Sequence, residues 1–186
     1  MLNAHSWNPD GTVLAYYVVD AGRDIWMLPL EGEREPQPFV VTEFNERSPS
    51  FSPDGRWVAY TSDESGQDEI YVRPYPDSGG KVTISTEGGR EPVWCAAGGE
   101  LFFRNGVRMM AVSIETGETL EVGAPYTLFE SQKFAVELFT SGSQSYDVAP
   151  NCDRFLMIAG TDPNVARLRV VLNWTEELKR LVPTED

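Results

Sequence analysis

The sequence has little of what catalytic and membrane-spanning proteins use. Its 186 residues include a single histidine, His5, in an N-terminal segment that we expect to be frayed, and two cysteines. No apolar run approaches the roughly 18 residues of a membrane span. The N-terminus also lacks a basic region followed by an apolar signal segment. These absences predict a chain that is soluble as written, carries no export signal and is not itself membrane-inserted.

Positive charge is scarce as well. Fifteen basic residues stand against 29 acidic ones, which gives a net charge of −14. Such a chain repels the phosphates of nucleic acids and of anionic lipid headgroups. We therefore expect neither as a partner.

Catalytic motifs are missing. No serine is flanked by glycine two residues away on both sides, which disfavours a serine hydrolase. The chain has no glycine-rich phosphate loop, no His-Arg-Asp sequence and no Asp-Phe-Gly sequence, so it is not a kinase catalytic domain. We predict no catalytic residue and no cofactor.

Carboxylates leave one alternative open, because a glycosidase needs only two of them across a pocket. The acids lie mostly in expected turns, where capping and solubility are their ordinary roles. The acidic run 63–69 lacks the alternating spacing of a calcium-binding EF-hand loop, which favours a solvated hairpin turn. We predict no metal site.

A repeated phrase determines the expected fold. Residues 52–60 read SPDGRWVAY, and residues 8–16, 44 positions earlier, read NPDGTVLAY. Weaker copies occupy residues 94–103 and 148–157. Periods of about 40 to 50 residues that carry short strands and turns are typical of β-propeller blades.

The phrase has the chemistry of a turn. Proline sets φ, aspartate bonds its own turn backbone and glycine supplies a positive φ. The predicted structural turn residues are Pro9, Asp10, Gly11, Pro53, Asp54, Gly55, Gly98 and Pro150.

Short β-branched and aromatic runs follow each turn and predict four antiparallel strands per blade. The expected units are 1–44, 45–88, 89–142 and 143–174 of a single all-β domain, with a short helix in the tail 175–186. The interval to the fourth turn is about ten residues longer than the others, so we expect an extended surface loop within 116–144.

The cysteines occupy repeat positions, Cys95 in place of the turn serine and Cys152 in place of its glycine. A disulfide needs Cα atoms within about 7 Å, and equivalent turns of neighbouring blades are usually farther apart. The sequence thus favours two unpaired thiols. Cys152 in a glycine position also predicts a different geometry for the fourth turn.

The tryptophans are expected to pack between blades at equivalent strand positions. Trp57 is the exception, because the corresponding positions hold Val13 and Glu100. It is the one candidate for a ligand surface. The full set is Trp7, Trp26, Trp57, Trp94 and Trp174.

The sequences RSPSFSPDG at 47–55 and DEIYV at 68–72 resemble the repeat of TolB-type, WD-repeat-like β-propellers. The resemblance covers nearly the whole chain. The ending VVLNWTEELKRL at 170–181 is similar to the C-terminus of propellers that follow a membrane-tethered serine/threonine kinase domain in some bacteria. The third and fourth turns depart from the pattern, with Ala96-Ala97 and Asn151-Cys152.

The resemblance implies a non-catalytic, extracytoplasmic sensor or interaction module that binds a protein or small molecule on a propeller face. Two alternatives stay open: a periplasmic TolB-like scaffold and the accessory propeller of a peptidase or other hydrolase. Because such propellers commonly close with about six blades, four turns imply either a fragment or an open arc. Unpaired edges would then favour self-association.

Overall fold

A computed structural model describes residues 1–20, 22–76, 79–132, 144–162 and 165–171 of the chain. Every regular element in these ranges is a β-strand. His5 lies in the first strand, which pairs with the second, so the expectation of a frayed N-terminus is wrong. The predicted helix at 175–186 lies outside the described residues.

The first two sheets are four-stranded antiparallel meanders in sequence order. The first contains β1 (Leu2–Trp7), β2 (Val13–Val19), β3 (Arg23–Pro29) and β4 (Gln37–Val40). The second contains β5 (Glu46–Phe51), β6 (Trp57–Ser62), β7 (Glu69–Pro74) and β8 (Val82–Thr83). Each is one blade, here called blade 1 and blade 2.

Blade 3 has an additional strand. It contains β9 (Arg90–Trp94), β10 (Gly99–Asn105), β11 (Arg108–Thr116), β12 (Leu120–Val122) and β13 (Tyr126–Glu130). One half of β11 pairs with β12 and the other with β13. The extended loop expected within 116–144 is therefore wrong for residues 120–130, because strand pairing satisfies their backbone groups; residues 133–143 lie outside the described residues.

Blade 4 is described as three strands. They are β14 (Tyr146–Val148), β15 (Phe155–Asp162) and β16 (Val165–Val171). In every blade the first strand in sequence pairs only with the second, and the order then continues outward. This arrangement of successive antiparallel sheets is that of an incomplete β-propeller.

The hydrophobic core lies between the blades in three clusters, one for each pair of neighbours. Strand β6 shows how: Val58 and Tyr60 pack toward blade 1, whereas Trp57 and Ala59 pack toward blade 3. Because successive side chains of a strand point to opposite faces, a strand between two blades must be apolar on both. All six residues of β6 are accordingly buried.

Candidate functional site

The chain presents two faces that differ in what they carry. We call the face with the four hairpin turns 8–11, 52–55, 95–98 and 149–152 the turn face. The opposite, connector face carries the turn at 63–68 and the connections at 41–45 and 84–89, which lead into the first strands of blades 2 and 3.

The four hairpin turns share one backbone geometry. The carbonyl of the first residue accepts a bond from the amide three positions later, and its own amide donates to the carbonyl five positions later. The eight predicted turn residues all lie in these turns. The fourth residue always has a positive φ: 74° at Gly11, 71° at Gly55, 82° at Gly98 and 62° at Cys152. The expectation of a different fourth turn is thus wrong, because the cysteine adopts the glycine conformation.

Side chains reinforce the first two turns. Asp10 Oδ1 accepts bonds from the hydroxyl of Thr12 at 2.5 Å and its amide at 2.9 Å, which lower the pKa of Asp10. Burial acts to raise the pKa of Asp54, whereas hydrogen bonds from the Ser52 hydroxyl and the Arg56 amide act to lower it. The pKa of Asp54 is lowered on balance. Both carboxylates serve the turn backbone.

Cys95 and Cys152 form a disulfide, with Cα atoms 5.7 Å apart. The prediction of two unpaired thiols is wrong because neighbouring turns approach more closely than expected. Gly55, the fourth residue of the second turn, lies against Pro9 of the first turn in the same way, whereas Gly98 of the third turn has nothing within 4 Å of its Cβ position. The bridge therefore links blade 4 to blade 3 on the turn face.

The structure places Trp57 in the cluster between blades 2 and 3, with 8% of its surface exposed. This placement differs from the ligand surface expected of it. Trp94 packs in the same cluster, whereas Trp7 is 56% exposed. Trp174 lies outside the described residues.

Ion pairs on the connector face join blades 2 and 3. The carboxylate of Asp68, the residue before β7, contacts Arg47 of β5 and lies 2.5 Å from Nε of Arg90 in β9. Buried Glu69 beside it accepts bonds from the Ser85 hydroxyl and, at 2.9 Å, from the Gly88 amide. These contacts fix the connection that leads into blade 3.

Glu91 links three blades on the same face. Its amide donates to Thr61 of blade 2, and its carboxylate accepts from the amide and hydroxyl of Ser145 at 2.9 and 2.6 Å. Arg104 of blade 3 donates to that hydroxyl at 2.6 Å. The Tyr146 hydroxyl donates to the Glu91 carbonyl at 2.7 Å, and burial together with the negative charge of Glu91 raises the pKa of Tyr146.

Glu91 also has an unusual backbone, with φ of 59°; Ser48, the equivalent residue of blade 2, has φ of 54°. Both precede a proline at a bulge in a first strand. Positive φ at non-glycine residues costs free energy and persists where surrounding contacts impose it. The sequence does not predict this network, although Arg-X-Pro recurs at 47–49 and 90–92, where the two residues of positive φ stand.

Glu46 is the most buried carboxylate of the connector face, with 1% of its surface exposed. The Thr42 hydroxyl donates to its Oε1 at 2.6 Å, while Oε2 has no hydrogen-bond partner among the described residues. Burial, with the negative charges of Asp24 and Asp63, raises the pKa of Glu46. Its proton affinity is thus higher than that of an exposed glutamate.

Most of the polar side chains described on the connector face are hydrogen-bonded or ion-paired to one another. Within the described ranges, no cluster of three histidine, cysteine, aspartate or glutamate side chains could hold a metal ion. The same ranges contain no helix long and apolar enough to cross a membrane. The arrangement fixes the connector loops in one geometry, which is what a binding surface requires.

Three solved structures are similar to this chain in fold. The chain matches a puromycin-hydrolyzing peptidase of Mycobacterium tuberculosis with a TM-score of 0.66 and 20% identity, over 91% of this chain and 29% of the other. It matches TolB of Acinetobacter baumannii with a TM-score of 0.63 and 15% identity, over 92% of this chain and 40% of the other. It matches the nidogen/laminin complex with a TM-score of 0.60 and 14% identity, over 94% of this chain and 60% of the other.

No protein-family model matches the sequence, and neither does any curated protein. The structural neighbours are TolB-like and other β-propeller proteins, and at these identities the likeness shows the fold alone. The chain spans between 29% and 60% of the length of the three neighbours. They include both a peptidase and TolB, so the fold is compatible with more than one role.

Proposed function

We propose that this chain is a non-catalytic binding module that engages a protein or small molecule through its connector face. The paired charges of that face support the proposal, since Asp68 and Glu91 each join residues of neighbouring blades. A surface whose loops are already ordered loses little conformational entropy on binding.

The proposed location is extracytoplasmic. Disulfides persist in oxidising compartments such as the bacterial periplasm and are rare in the cytosol. The Cys95–Cys152 bridge therefore favours export of the polypeptide that contains this chain. TolB structures among the neighbours lend weaker support in the same direction.

Within this role we favour the sensor or interaction part of a bacterial serine/threonine kinase-like protein, on the resemblance of residues 170–181. A TolB-like periplasmic scaffold is the second candidate, favoured by the TolB neighbours. An accessory propeller of a peptidase is the third, favoured by the peptidase neighbour. The coding sequence upstream of Met1 separates them: a kinase domain with a membrane span supports the first, a signal peptide alone the second, and a peptidase domain the third.

Site-specific photo-crosslinking in the native cell tests the binding face. A photoreactive side chain replaces Glu43 or Glu87 on the connector face, or Ala97 on the turn face; all three residues are exposed. We expect crosslinked products from Glu43 and Glu87 and none from the matched control at Ala97. Products from Ala97 alone would overturn the assignment of the face.

A further inference from the structure

Glu46 holds two segments of the connector face through hydroxyl groups. The Thr42 hydroxyl donates to Glu46 Oε1 at 2.6 Å and accepts from the Phe44 amide at 3.1 Å. On the other side, the Ser62 hydroxyl donates to the same Oε1 at 3.4 Å and accepts from the Glu64 amide at 3.3 Å. One carboxylate therefore joins the connection before β5 to the turn after β6.

This carboxylate lies deep in the edge where blades 1 and 2 meet. Glu46 is 1% exposed, and its Oε2 has no hydrogen-bond partner among the described residues. Next to it, Asn45 forms a backbone bridge to Arg23 at the start of β3. A negative charge on Glu46 is thus shielded from bulk water, and no donor on the described residues compensates for it at Oε2.

The charges that act on Glu46 from neighbouring elements add to this cost. Burial raises the pKa of Glu46, and the negative charges of Asp24 on β3 and Asp63 after β6 raise it further. Bonds from the Thr42 and Ser62 hydroxyls act in the opposite direction. The other titratable and charged groups on this side of the two blades include Tyr17, which Arg23 and Arg47 face, Tyr60, which Glu46 faces, and Asp68, which contacts Arg47.

We infer that Glu46 is a pH-sensitive switch of the connector face: protonated, it keeps the connection before β5 closed against the turn after β6, and ionised, it lets that connection open more often. The proton comes from water and binds Oε2, so Oε1 continues to accept the bonds of Thr42 and Ser62. Ionisation places a charge in the closed edge, and opening exposes that charge to water. The switch does not depend on the proposed function, because it concerns the geometry of the connection alone.

The direction of the pH dependence follows from the two states of the connection. In the open state the carboxylate is exposed and takes its ordinary pKa near 4.5, whereas in the closed state the pKa is raised. The closed state is therefore most favoured below the ordinary value and loses this advantage as pH rises through the raised one. Between the two values the opening constant should rise about tenfold per pH unit, because opening releases one proton.

Amide hydrogen exchange followed by NMR between about pH 4.5 and 8 tests this switch. Dividing each observed rate by the intrinsic rate at the same pH gives the opening constant at the Phe44 and Glu64 amides. We expect this constant to rise with pH in the wild-type chain and to be independent of pH in E46Q. E43Q is the matched control, since Glu43 is exposed in the same connection, and it should keep the wild-type rise.

The turn face provides a reference within the same spectra. There the Trp57 amide donates to the Ser52 hydroxyl at 3.0 Å, and that hydroxyl donates to Asp54 Oδ1 at 2.6 Å. This chain of bonds has the same form as the one from Phe44 to Glu46, but the pKa of Asp54 is lowered. The opening constant at the Trp57 amide should therefore stay constant over the same pH range.

Asp24→Asn separates the titration of Glu46 from a general loss of structure, and it carries the test if Glu46→Gln does not fold. Removing a negative charge that acts on Glu46 lowers its raised pKa, so the rise at the Phe44 amide should end at a lower pH than in the wild-type chain. An opening constant that does not change with pH in the wild-type chain, or that rises equally in E46Q, would overturn the inference.

Discussion

Gly55 of the second turn lies directly against Pro9 of the first, so that a Cβ atom on Gly55 would be 3.1 Å from Pro9 Cδ. The same relationship recurs between blades 3 and 4, where Cys152 replaces the glycine and bonds to Cys95. On the turn face, the second turn therefore contacts the first and the fourth contacts the third, whereas Gly98 of the third turn has nothing within 4 Å of its Cβ position. The disulfide replaces a van der Waals contact with a covalent one.

Gly55→Ala should destabilise the chain more than Gly11→Ala. Both glycines have a positive φ, near 71° and 74°, so both substitutions carry the backbone penalty of roughly 1 kcal/mol. Only Gly55 would bring its Cβ atom against a neighbouring turn, since Gly11 has nothing within 4 Å. Urea unfolding of the two variants measures the difference, and equal losses would show that the two turns do not touch.

The disulfide should stabilise the chain by about 4 kcal/mol, because it closes a loop with a sequence separation of 57 residues. We expect reductant to lower the melting temperature of the wild-type chain by about 10 °C. The double variant C95S/C152G is the control, since glycine suits the positive φ of residue 152. Its melting temperature should be close to that of the reduced wild-type chain and should not change with reductant. A wild-type melting temperature that also does not change with reductant would contradict the bridge.

Ser52→Ala should cost about 1–3 kcal/mol, because it leaves the buried Trp57 amide without the hydroxyl that accepts its bond at 3.0 Å. Asn8 accepts the equivalent bond in blade 1, where the Val13 amide donates to its Oδ1 at 2.8 Å. Ala149 holds this position in blade 4, so Ala149→Ser is the reciprocal variant and should leave stability unchanged or increase it. Denaturant unfolding of both measures this, and a neutral Ser52→Ala would exclude the side-chain bond.

Glu46→Gln should raise stability at pH 7. The pKa of Glu46 is raised in the folded chain, so the folded state binds its proton more tightly than the unfolded state does. Its contribution is therefore most favourable below the unfolded value near 4.5 and declines as pH rises through the raised pKa. The variant should gain more over wild type at pH 7 than near pH 5 in urea unfolding.

Glu43→Gln provides the comparison for that experiment, because Glu43 belongs to the same connection and is exposed. We expect no pH-dependent gain from it. A Glu46→Gln variant that is destabilised at pH 7 would show instead that the ionised carboxylate has an unrecognised partner.

The fold could be predicted because its signal is local. Pro53, Asp54 and Gly55 specify a turn within four residues, and the recurrence of that phrase at near-constant spacing indicates successive blades. The alternation of β6 side chains between blade 1 and blade 3 likewise follows from the geometry of the strand itself. No knowledge of neighbouring blades was needed for either.

The disulfide and the connector-face network could not be predicted in the same way, because both depend on how blades approach each other. Cys95 and Cys152 are 57 positions apart, and only the contact between successive turns brings them together. Glu91 gains its role from Ser145, 54 positions later. Spacing in the sequence does not show which residues of different blades lie close together. The Arg-X-Pro segments at 47–49 and 90–92 indicate only where the two residues of positive φ stand.

The most direct test is mass spectrometry of the chain isolated from its native cell, with free thiols alkylated before a non-reducing digest. A crosslinked pair of peptides containing Cys95 and Cys152, in material from the cell envelope, is the predicted result for an oxidised, extracytoplasmic propeller module. Both cysteines alkylated, in material from the cytosol, would contradict it.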